Sequence, residues 1–242
     1  MAWDDKKVML VDGSATLRYY YGILLKRLAF TVMVAESGEE ALKIIQNTVP
    51  ALILTDVTLP RMSGIEFIQT IKGSALTSAV PVIAFVGQSD ASVRSSCLSI
   101  GCVDFLTKRV DPDHLYRSIQ AALEPKPRGH MRLNMPLKVV VGDGTSQGGA
   151  ERTEYATTIS EGGLYLRTLF PRPKNSFTPV RIIIKNRTVR AQAAVLYSHA
   201  MEGGFFKEPG MGMKFIEISP EDRSFVRRFI KEQLTSDIVI GT

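Results

Sequence analysis

Cysteine is scarce, tryptophan nearly absent and histidine rare: 242 residues hold two Cys, one Trp and three His. Cys97 and Cys102 stand in an apolar context, so they are expected to be buried, reduced thiols, and two cysteines alone make no metal site. His114, His130 and His199 have no nucleophile or second ligand at a useful spacing, so no catalytic constellation is visible and enzymatic turnover is not expected. No apolar run approaches the roughly 18 residues of a membrane span, which argues against membrane insertion. The charged start, Met1-Ala-Trp-Asp-Asp-Lys-Lys7, is unlike a secretory leader, and a cytoplasmic protein is expected. No low-complexity tract occurs, and 45% hydrophobic with 22% charged residues is ordinary for a folded chain.

What is there divides in two. A chain of 242 residues exceeds a typical domain of about 100 to 150 residues. Glu124-Pro125-Lys126-Pro127 stops any helix, because two prolines so close remove helical hydrogen bonds. Domains at 1–124 and 125–242 are therefore expected. The first carries 12 Lys and Arg against 13 Asp and Glu and the second 18 against 11, so the halves carry −1 and +7 and the basic excess belongs to the second. A basic half suits anions such as phosphates, although a solvated basic surface has the same composition. No helix-turn-helix or finger pattern accompanies it, and nucleic-acid binding is not expected.

In the first half, β-branched apolar runs at 8–11, 31–35, 51–54, 81–86 and 103–106 alternate with helix-period segments at 15–28, 38–46, 64–72, 91–100 and 113–123. Runs buried on both faces and separated by helices predict a (βα)5 domain with a parallel sheet. Such sheets bind ligands beyond the carboxyl ends of their strands. There the sequence sets Asp12, then Asp56 with Val57-Thr58-Leu59-Pro60, Gly87 and Lys108. Two carboxylates beside a lysine could accept a phosphoryl group, since cations offset its charge during in-line transfer.

Residues 6–124 resemble the receiver domain of two-component response regulators, a flavodoxin-like (βα)5 fold. The resemblance is carried by Val-Met-Leu-Val-Asp12-Gly-Ser, Leu-Ile-Leu-Thr-Asp56-Val-Thr-Leu-Pro60-Arg-Met-Ser-Gly64, Pro81-Val-Ile-Ala and Asp104-Phe-Leu-Thr-Lys108. It implies Asp56 as phospho-acceptor, Asp12 and Asp56 as ligands of Mg2+, Thr58 and Lys108 in the same pocket, and a sensor histidine kinase as partner. Three positions depart. Gly13 replaces the second acid of the metal-binding pair, which lowers affinity for a cation that prefers oxygen ligands. Val86 replaces a hydroxyl residue that would hydrogen-bond the phosphoryl group, and Arg109 replaces a proline. The competing reading is a degenerate receiver that serves as a docking or homodimerisation surface.

In the second half, short apolar runs at 138–141, 155–159, 163–169, 179–184, 190–196 and 212–216 are separated by Gly-, Pro- and Ser-rich turns. They predict a small six-stranded antiparallel barrel. Ser219-Pro-Glu-Asp222 then starts a helix reaching Gln233, with Phe225, Phe229 and Ile230 on the face that meets the barrel. Arg128-Gly-His-Met-Arg132 and Thr158-Ile-Ser160-Glu-Gly-Gly163 stand out. Arginine donates paired hydrogen bonds to phosphates and stacks on bases, and glycines let a backbone approach a ligand closely.

Together with Gly210-Met-Gly-Met-Lys-Phe215 and the closing helix, these elements resemble a PilZ domain, the bacterial receptor module for cyclic di-GMP. The resemblance implies that Arg128 and Arg132 clamp phosphates and guanine faces, while Thr158, Ser160 and Gly163 complete the pocket. Thr158 stands where such domains carry Asp or Asn; its shorter hydroxyl offers a guanine edge less, at a cost of about 1 to 3 kcal/mol. The sequence thus reads as a signalling protein that binds cyclic di-GMP and relays it to a protein partner. The alternative is an adaptor in which both modules have lost their ligand chemistry.

Overall fold

The computed structural model describes residues 6–87, 91–125, 129–199 and 209–236. The chain divides into two units, one running to Gly129 and taking in the described residues from Leu234 onward, the other His130–Gln233.

In the first unit the apolar runs become β1 (Lys7–Val11), β2 (Thr31–Ala35), β3 (Leu52–Asp56), β4 (Val82–Val86) and β5 (Asp104–Thr107). Between and after them lie α1 (Ala15–Arg27), α2 (Gly38–Asn47), α3 (Gly64–Gly73), α4 (Ala91–Ser99) and α5 (Pro112–Leu123). All strand pairs are parallel, in the order β2-β1-β3-β4-β5, the flavodoxin-like arrangement. Every residue of β3 and β4 is buried, as expected for a sheet covered on both faces. Helix starts follow from local chemistry: Ser14, Ser37 and Asp111 cap α1, α2 and α5, and Ser63 with Glu66 forms a capping box on α3. Cys97 and Cys102 are buried and free, and burial pushes the Cys102 thiol up to about 12.

The second unit is a closed barrel of β6 (Arg132–Val141), β7 (Arg152–Ser160), β8 (Gly163–Arg167), β9 (Phe177–Ile184), β10 (Arg187–His199) and β11 (Gly210–Ile218). Its strands are antiparallel, and β6 pairs with β9 to close the ring. Strand β9 shows the period plainly, with Thr178, Val180, Ile182 and Ile184 buried in alternation. Helix α6 (Pro220–Thr235) buries Val226, Phe229 and Ile230, while Phe225 is half-buried beneath the Arg187 guanidinium. Arg187 also reaches Asp222 and Glu221 at 2.7 and 2.9 Å, tying the start of α6 to the start of β10.

Strand β6 begins six residues before the expected 138. Pro136 hid this extension. The ladder with β7 shifts register between Asn134 and Leu137, a bulge in which a residue without an N–H costs no ladder bond.

Candidate functional sites

At the carboxyl ends of the parallel strands, Asp12 follows β1 and Asp56 is the last residue of β3. These strands are neighbours where the chain order reverses, so both carboxylates enter the same crevice, 1% and 2% exposed. Lys108, just beyond β5, extends its ammonium to Asp56 Oδ2 at 2.5 Å and lies 3.9 Å from Asp12 Oδ2. The lysine backbone is held from two sides: its N–H donates to Val86 O at 3.2 Å, and its carbonyl accepts the Tyr21 hydroxyl at 2.6 Å. Tyr21 is fully buried and stacks on Phe85 with ring centroids 4.7 Å apart.

The acids are fixed as firmly. Asp12 Oδ1 accepts the Ser14 N–H at 2.7 Å, and the Asp12 carbonyl accepts from Arg18 at 2.6 Å. Asp56 Oδ1 accepts the Thr58 N–H at 3.0 Å, so Thr58 touches the acid through its backbone while its side chain is exposed. A Cβ on Gly64 would stand 2.0 Å from the Asp56 carbonyl oxygen; only glycine lets the start of α3 come this close to the acid.

Asp12 Oδ2 is buried without a hydrogen-bond partner among the described residues. Burial holds the Asp12 carboxyl above its ordinary range, against the opposing pull of the Ser14 N–H and the Lys108 charge. An unsatisfied anionic oxygen beside a second carboxylate is a donor set that fits a hard divalent cation such as Mg2+. The protein share of that set is small: Gly13 adds no side chain, and no group of three or more His, Cys, Asp or Glu among the described residues could hold a metal. Val86, buried and apolar at the end of β4, offers the crevice no hydroxyl.

On the barrel, the register of β6 with β7 gathers residues that the sequence separates. Arg132 stands opposite Ser160, and Asn134 opposite Thr158. Leu133 and Ile159 between them point into the core, so Arg132, Asn134, Thr158 and Ser160 share the outer face. Ser160 pairs in turn with Gly163 across the β7–β8 turn and donates its hydroxyl to the Gly163 carbonyl at 3.1 Å. Gly163 is required by packing, because a Cβ there would meet Met213 O at 2.0 Å. Arg128 lies outside the described residues.

Glu161, inside this turn, escaped the sequence reading. Its Oε2 accepts from Arg227 of α6 at 2.6 Å and lies 3.8 Å from His130 Nδ1. The His130 ring in turn covers Gly162, where a Cβ would fall 2.9 Å from its Cδ2. The segment ahead of β6, the turn and the helix thus meet at one carboxylate. A cavity of about 240 Å³ at the opposite ends of β6, β7 and β8 contains none of the expected residues; Arg152, stacked 4.3 Å over Phe170, and Arg172 line part of it.

Residues 8–120 match the family of response regulator receiver domains and residues 126–232 the PilZ domain family. The chain is 31% identical over 113 residues to an uncharacterized 14.6 kDa protein of Leptolyngbya boryana, covering 47% of this chain and 86% of that protein. It is 30% identical over 118 residues to the phosphate regulon transcriptional regulatory protein PhoB of Pseudomonas aeruginosa, covering 49% of this chain and 52% of the other. Among solved structures, the chemotaxis protein CheY4 of Vibrio cholerae is 26% identical, with 48% of this chain and 98% of that one covered and a TM-score of 0.47. The chain spans about half the length of PhoB and of the ycf27 regulators that it also matches.

Proposed function

The chain joins a response regulator receiver domain to a PilZ domain, and on that footing we propose that it binds cyclic di-GMP on the barrel and relays the signal to a protein partner. Both modules are generally non-enzymatic signalling units, and in this reading the protein performs no turnover. No described helix is long and apolar enough to cross a membrane, and a cytoplasmic location goes with the reading.

The observation that supports the proposal is the β6–β7 register, in which Arg132 stands opposite Ser160 at the start of the Ser160-Glu-Gly-Gly163 turn. A guanidinium fork suits a phosphate diester and its flat face a base, while the turn adds the Ser160 hydroxyl. Arg128, four residues earlier in the sequence, would supply the second fork.

In the receiver, Asp56 is the candidate phospho-acceptor and Lys108 the cation that would meet the incoming charge. Mg2+ on Asp12 and Asp56 would add charge neutralisation. The second reading is the adaptor, favoured by one arrangement: Lys108 already neutralises Asp56, with Gly13 and Val86 beside them where an acid and a hydroxyl would serve phosphate chemistry. A sensor kinase, or a second receiver in a homodimer, would then dock without phosphoryl transfer.

Calorimetric titration of cyclic di-GMP into the full-length chain separates the two. Saturable heat that disappears in Arg128→Ala/Arg132→Ala is the outcome expected of a receptor. Absence of heat at millimolar ligand would overturn it and leave the adaptor.

A further inference from the structure

The outer face carrying Arg132 and Ser160 has a shortfall at Thr158, whose hydroxyl is shorter than the carboxylate or amide of similar domains. Directly across the ladder from Thr158 stands Asn134. Facing residues in an antiparallel pair hold their Cβ atoms about 4.5 to 5.5 Å apart, so a side chain at 134 reaches much of the space open to one at 158. Asn134 is exposed, it lies two residues beyond Arg132 and hence on the same face, and its amide has no hydrogen-bond partner among the described residues. The β6 bulge begins immediately after it, and bulges re-aim the side chains at their margins.

We propose that Asn134 is a ligand-contacting residue of the barrel, supplying from β6 the amide that Thr158 does not supply from β7. An amide pairs an acceptor with a donor, which matches the N1–H and O6 of a guanine edge two-for-two. A threonine hydroxyl makes one such bond at a time in this setting. The assignment rests on the reading of the barrel as a cyclic di-GMP site, and it explains how that site keeps an amide despite Thr158.

The test is a set of cyclic di-GMP titrations of the full-length protein, with thermal melts confirming that each variant is folded. Asn134→Ala is expected to weaken binding about ten- to a hundredfold, the effect of one good paired contact. Thr158→Val should change it less than about threefold. Moving the amide across the pair, in Asn134→Ala/Thr158→Asn, should recover most of the loss. Binding by Asn134→Ala within about twofold of the parent, with Arg132→Ala still disabling, would overturn this assignment and leave the receptor reading standing. Failure of the parent chain to bind would sink both, and a larger loss in Thr158→Val than in Asn134→Ala would return the role to Thr158.

Discussion

Asp12 is a residue kept at a cost to its fold. Its carboxylate is 1% exposed, one oxygen has no hydrogen-bond partner among the described residues, and burial raises its proton affinity in the folded chain. Because the folded pKa is the higher, the ionised group favours the folded state least: its contribution is fullest in acid and is lost as pH rises from the ordinary carboxylate range through the folded value. Asp12→Asn, which removes the buried charge, should therefore stabilise the ligand-free receiver at neutral pH, with the gain shrinking toward acid. Urea midpoints at several pH values would measure it, and a calorimetric Mg2+ titration should show any cation binding lost. Asp12, Asp56 and Lys108 were readable in the sequence because each ends a strand of a parallel sheet. Tyr21 and Glu161 were not: their partners Lys108 and Arg227 lie 87 and 66 residues away, and no local spacing points to them.

At the scale of elements, local rules carried most of the fold. Helix-period segments between apolar runs marked the receiver elements, and short apolar runs separated by turn-rich stretches marked the barrel strands. Where a strand harboured a proline at a bulge, as β6 does, the local rule gave the wrong start. Helix α5 breaks another expectation, since Gln120 is fully buried and neither its oxygen nor its nitrogen has a partner among the described residues. An unsatisfied buried amide costs about 1 to 3 kcal/mol. Gln120→Met, which keeps the length and flexibility of the side chain, should raise the thermal midpoint, corresponding to about 1 kcal/mol. An unchanged or lower midpoint in calorimetric scanning would show that the amide is satisfied in solution.

Over the whole molecule, the charge is divided between an almost neutral receiver and a basic barrel half. The arginine pair begins at position 128, one residue after the Pro125-Lys-Pro127 stretch, at which the PilZ match begins. A ligand that orders residues 128–132 would restrict the adjoining linker. Small-angle scattering of the full chain should therefore change when saturating cyclic di-GMP is added and should not change in Arg128→Ala/Arg132→Ala. Superimposable profiles for the parent would exclude linker restriction as the route of relay. Composition and proline placement made the two-part organisation legible, whereas the meeting of His130, Glu161 and Arg227 depends on three-dimensional closure of the barrel.

Closure of the barrel also limits how a partner can hold it. Every strand of the ring has a neighbour on both sides, and although β6 meets β9 only over Val139–Val141, the described barrel offers an incoming peptide only short lengths of unpaired backbone to extend by strand addition. Recognition of the barrel falls mainly to outward side chains such as Leu196 and Ile216, both about half exposed. The receiver sheet, open at β2 and β5, is the half of the chain with terminal strands. Backbone-to-backbone capture, with its low demand on the partner's sequence, is thus a mode better suited to the open receiver sheet than to the barrel.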